Sequence, residues 1–122
     1  MVVDAMKRVL IVLAWVLFAA PPAFAHAFLA HASPSAGSEM RPAPPAVTIK
    51  FTEAMEPRFS TIEVRDAAGK RIDAGGLHTV GGAETLAIGL PDLAPGVYAV
   101  IWHATSVDTH KTEGRYTFTV LP

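Results

Sequence analysis

Near the end of the chain Tyr116, Phe118 and Val120 alternate with Arg115, Thr117 and Thr119, and this two-residue period constrains the fold more than any other feature. Only a strand sends successive side chains to opposite faces and so collects the three apolar ones on one side. The same period recurs in Val47-Thr48-Ile49-Lys50-Phe51 and in Thr61-Ile62-Glu63-Val64-Arg65. After residue 25 no stretch repeats its apolar residues at the 3.6-residue spacing of an amphipathic helix.

Between these runs stand residues that end regular structure. Ser33-Pro34-Ser35-Ala36-Gly37-Ser38 reads as a turn after a brief extended segment, and Pro42, Pro44 and Pro45 keep the approach to Val47 out of helix. Asp66-Ala67-Ala68-Gly69-Lys70 reads as a hairpin connection. The Gly75-Gly76 and Gly81-Gly82 pairs bracket a loose segment with His78, before strands expected at Thr85 to Ile88 and Val97 to Ala104. Tyr98, just after the Leu90 to Gly96 corner, fits a tyrosine corner, in which the phenol bonds upstream backbone. The expectation is an all-β, immunoglobulin-like Greek-key β-sandwich of about seven strands.

The first 25 residues read differently. Lys7-Arg8 precede twelve mostly apolar residues, Val9 to Ala20, followed by Pro21-Pro22 and the small-residue pattern Ala23-Phe24-Ala25. Those are the three parts of a cleavable signal peptide, and the apolar run is shorter than the ~20 residues a membrane-spanning helix needs. Met6 would make a more ordinary start for such a leader than Met1. The domains are then a signal peptide, residues 1–25, and one exported domain, residues 26–122, with no membrane anchor after processing. Losing Asp4, Lys7 and Arg8 leaves eight basic against ten acidic residues, which argues against a nucleic-acid binder.

The chain has no cysteine. Blue-copper centres, iron–sulfur clusters, thiolate zinc sites and thiol nucleophiles are therefore excluded. No G-x-S-x-G elbow, Walker A loop, H-E-x-x-H or dinucleotide fingerprint occurs either. Any metal site must use His, carboxylate, Met or a chain terminus.

Cleavage after Ala25 would make His26 the first residue, offering its α-amine and a ring nitrogen to one ion. Asp108 and His110 are two apart, and in an extended segment they would share a face. With His26 they supply three nitrogens and a carboxylate oxygen, a set suited to tetragonal Cu(II). On spacing alone Asp108-Thr109-His110 reads more readily as a polar turn in which the aspartate bonds local backbone.

His26-Ala27-Phe28-Leu29, Ala32-Ser33-Pro34-Ser35-Ala36-Gly37, Phe51-Thr52-Glu53, Trp102, Ser106-Val107-Asp108-Thr109-His110 and Gly114 together resemble the CopC family of periplasmic copper-binding proteins. The resemblance covers essentially all of residues 26–122. It implies an immunoglobulin-like sandwich binding one Cu(II) per chain through His26 (amine and ring), His110 and Asp108, with Glu53 a further oxygen donor or an outer partner of the ligands. It also implies a periplasmic monomer acting as a copper carrier or buffer in homeostasis or resistance, not an enzyme, with an inner-membrane copper transporter of the CopD type as partner.

Some members carry a methionine-rich Cu(I) segment, whereas residues 26–122 hold only Met40 and Met55, so no thioether site is expected. His31 and His78 read as surface residues, and His103, next to Trp102 on a strand, should point outward if Trp102 is core. The competing functions are a copper-dependent oxidase or monooxygenase with a histidine brace and a metal-free interaction module.

Overall fold

The computed structural model describes residues 29–122. The expected signal peptide, residues 1–25, and the candidate ligand His26 lie outside the described residues. Eight strands form two four-stranded sheets: β1 (Leu29–Ser33), β2 (Glu39–Met40), β3 (Ala46–Phe51), β4 (Thr61–Arg65), β5 (His78–Thr79), β6 (Thr85–Gly89), β7 (Gly96–Thr105) and β8 (Lys111–Val120). One sheet has the order β1-β3-β6-β5 and the other β2-β8-β7-β4, so the chain crosses repeatedly between the two. All pairings are antiparallel except β2 with β8. The expected all-β sandwich is what forms. Eight strands form among the described residues against about seven expected, and β2 and β5 are too short to show a period in the sequence.

The alternation read from the sequence decides what faces inward. Val47, Ile49 and Phe51 of β3 and Leu86 and Ile88 of β6 meet Ile62, Val64, Val100, Trp102 and Phe118 of the other sheet, all essentially solvent-free. Full burial of each such side chain stabilises the fold by about 1.5–3 kcal/mol, so this layer is the main source of cohesion. Trp102 is buried and its neighbour His103 faces solvent, as the strand period requires. The tyrosine corner is present: Tyr98 donates its phenolic proton to the Ala94 carbonyl at 2.6 Å.

Trp102 lies directly opposite Gly114 in the β7–β8 register. A Cβ on Gly114 would come within 2.2 Å of the indole ring. The glycine is therefore needed for the space it leaves, and the hairpin closes only because the ring can rest on bare backbone.

The edge strand β4 is covered by residues 71–73. Ile72 N–H bonds the Val64 carbonyl at 2.8 Å, and the Asp73 carboxylate accepts the Val64 N–H at 3.0 Å. The Asp73 side chain is only 1% exposed and pairs with Arg71 at 2.9 Å. Satisfying the edge groups in this way removes a template for pairing with another chain.

Candidate metal centre

One end of the sandwich gathers the loop after β3, the loop before β6 and the β7–β8 connection. The 51–56 segment is fastened to the loop before β6 by Phe51 N–H to Glu84 O and Met55 N–H to Ala83 O, both at 2.8 Å. It is fastened to the other sheet by Glu56 N–H to Thr105 O and Val107 N–H to Ala54 O, both at 2.9 Å, and by the Met55–Ser106 bridge. The backbone carrying Glu53 thus joins both sheets, and Met55 is buried within the core.

This scaffold sets Glu53 against His110. Nδ1 of His110 lies 3.1 Å from both Glu53 oxygens, with Glu53 28% and His110 57% exposed. A carboxylate only accepts, so the shared proton resides on Nδ1 and the lone pair of the neutral ring is on Nε2. That is the arrangement by which a carboxylate fixes the tautomer and orientation of a metal-binding imidazole.

Asp108 and His110 are not in an extended segment, and the shared-face argument from two-residue spacing does not apply. Residues 107–109 turn, with Thr109 at φ 69°, and β8 begins only at Lys111. The turn expected from the sequence does form, but among the described residues the Asp108 side chain makes no hydrogen bond to local backbone within it. The local bonds come from Ser106, whose Oγ accepts the His110 N–H at 3.1 Å and whose carbonyl accepts the Thr109 N–H at 2.9 Å. Ser106 is buried, and sequence reasoning gave it no role; a serine four residues before a ligand candidate was the available signal. Asp108 itself is exposed.

Among the described residues no three His, Asp or Glu side chains form a metal-binding group, so Asp108 does not close with Glu53 and His110 into a triad. Leu29 pairs with Phe51, two residues from Glu53, so the chain enters β1 at this end. The pairing slips between Leu29 and His31, leaving one extra residue at the strand start. His31 is exposed on β1, and His78 lies on β5 with Nδ1 2.8 Å from the Gly76 carbonyl. His103 pairs with Glu113 at 3.1 Å on the outer face of β7 and β8. None of these three faces Glu53.

Residues 29–121 match the CopC domain family. The chain belongs to the CopC family. Protein YobA of Escherichia coli K12 is 38% identical over 102 residues, 82% of each chain. The copper transport protein CutJ of Bacillus subtilis is 31% identical over 113 residues, which are 91% of this chain but only 21% of CutJ. Among solved structures, CopC from Methylosinus trichosporium OB3b superposes with a TM-score of 0.73 at 37% identity, covering 80% of this chain and 95% of that one. PcoC, a methionine-rich copper resistance protein from E. coli, superposes at 0.67 with 28% identity, covering 76% and 96%. In this CopC-family chain Met55 is in the core and Met40 is half-buried against it.

Proposed function

We propose that the protein is an exported Cu(II)-binding protein that carries or buffers copper in the periplasm during copper homeostasis or resistance. One Cu(II) is held per chain, by the amine and imidazole of His26 exposed after cleavage behind Ala25, by His110 and by Asp108. The observation that carries the proposal is the Glu53–His110 pair, in which Nδ1 of the imidazole lies 3.1 Å from both carboxylate oxygens at the end of the sandwich where β1 begins.

The donors suit the ion: imidazole and amine nitrogens with a carboxylate oxygen fit tetragonal Cu(II), and no cysteine competes to select a softer metal. Two residues separate His26 from Leu29, a reach of at most about 10 Å, and Leu29 pairs with Phe51, two positions before Glu53. Glu53 orients His110 from outside the coordination sphere, because Nδ1 already donates to it. CutJ and PcoC, a copper transport and a copper resistance protein by name, support copper as cargo. Delivery to an inner-membrane transporter of the CopD type, by a monomeric carrier that is not an enzyme, completes the proposal.

Coordination requires a deprotonated terminal amine, whose ordinary pKa is about 7.7–8.0, so binding releases protons and weakens on acidification. Mass spectrometry of the protein purified from the periplasm, with and without copper, tests the proposal: the expected species begins at His26 and gains one copper. A Cu(II) titration of a variant with one alanine inserted before His26 tests the terminal ligand, and binding as tight as in the native form would overturn it.

A further inference from the structure

Every described residue in the left-handed region is glycine except one. Gly37, Gly69, Gly75, Gly76 and Gly81 have φ between 68° and 83°, and Thr109, between Asp108 and His110, has φ 69°. A β-branched residue is the wrong type for that conformation, because its Cβ crowds the backbone, whereas glycine adopts it freely. Strain of this kind persists only where the surroundings over-determine it.

The surroundings here are bonds to Ser106. Its carbonyl accepts the Thr109 N–H at 2.9 Å, its Oγ accepts the His110 N–H at 3.1 Å, and its own N–H donates to the His110 carbonyl at 2.9 Å. Ser106 is 2% exposed and bridged to Met55, so the latch is anchored in the interior. Threonine by itself avoids this conformation, so the bonds to Ser106 hold the turn against the residue's own preference.

We propose that Thr109 is a positioning residue: its left-handed backbone, latched to Ser106, sets the direction in which His110 leaves the turn toward Glu53, so that this imidazole is pre-set for a divalent metal before it arrives. This rests on the Cu(II) reading above, and extends it from the ligands to the backbone that aims one of them.

The test compares the mature protein with Thr109→Asn, Thr109→Gly and Thr109→Pro. Asparagine tolerates the left-handed region and keeps the N–H, so Cu(II) affinity and the Cu(II) electron paramagnetic resonance spectrum should stay as in the native protein. Glycine reaches the same backbone without strain and should likewise keep native affinity. Ser106→Ala, added to the set, removes the Oγ that accepts the His110 N–H, and should speed hydrogen exchange at that amide in the metal-free protein and weaken Cu(II) binding several-fold. Proline cannot reach positive φ and loses the N–H, and should weaken binding by about tenfold or more with an altered spectrum. Native affinity and spectrum in the proline variant, or native His110 exchange in the Ser106→Ala variant, would overturn the inference. A native protein that fails to bind Cu(II) would instead overturn the copper reading, while the exchange rates would still decide whether the Ser106 latch fixes the turn.

Discussion

Glu53 grips His110 across 57 residues of sequence, with both carboxylate oxygens 3.1 Å from Nδ1. The pair sits at the surface, where an ion pair contributes about 0–1 kcal/mol, so its value to the fold is small. Glu53→Ala should leave thermal stability nearly unchanged yet lower Cu(II) affinity by about 10–100-fold, the usual effect of losing the partner that orients a ligand. Glu53→Gln, which keeps an acceptor oxygen, should lose less. A competition titration checks both, and native affinity in the alanine variant would remove Glu53 from the site.

Gly114→Ala should be costly despite the small change in volume. The added methyl would meet the Trp102 ring at 2.2 Å, and the ring is enclosed by the core. Overpacking of this kind costs about 1–3 kcal/mol, and about 4–8 °C of midpoint per kcal/mol is expected for a domain this small. Thermal unfolding followed by tryptophan fluorescence gives the comparison.

Acid stability should depend on Asp73. Burial alone would raise its pKa, but the hydrogen bond and charge of Arg71 and the N–H groups of Val64 and Gly75 outweigh burial and hold it below the usual carboxylate value. A depressed folded pKa means that the stabilisation is fully present above the unfolded value, about 3.9, and is lost as pH falls through the folded one. Asp73→Asn should cost about 1.5–3 kcal/mol at neutral pH and flatten the decline in stability below about pH 4. Denaturant unfolding across pH 2–7 would show it, and parallel native and variant curves would contradict it.

The two tyrosines should respond with opposite signs. Tyr98→Phe removes the 2.6 Å bond to the Ala94 carbonyl and should cost about 1 kcal/mol. The Tyr116 hydroxyl is buried with no hydrogen-bond partner among the described residues, and burial pushes its pKa up. Tyr116→Phe relieves that desolvation and should be neutral or stabilising by up to about 1 kcal/mol. Paired denaturant curves separate the two, and equal losses would show that Tyr116 is bonded after all.

The sheet interior was legible in the sequence because strand geometry leaves it little choice. Once Val47, Ile49 and Phe51, or Tyr116, Phe118 and Val120, alternate with polar residues, a strand is the conformation that buries them together. Trp102 inward and His103 outward follow from the same rule. The two-residue strands β2 and β5 did not show, since pairing with a neighbour and not a local pattern creates them.

The site divides along the same line. His110 and Asp108 could be picked out as candidates because their chemistry is written in their side chains. Their relationship could not, because it depends on Thr109 adopting a left-handed backbone and on Ser106 latching the turn. Glu53, 57 positions away, meets His110 only because hydrogen bonds join the 51–56 segment to both sheets. The sequence by itself determined the strands, the buried face and the kinds of donor atom, all of which follow from local period and residue type. Tertiary structure alone decided which carboxylate holds His110 and by which nitrogen, because that contact is made between segments brought together only when the two sheets close.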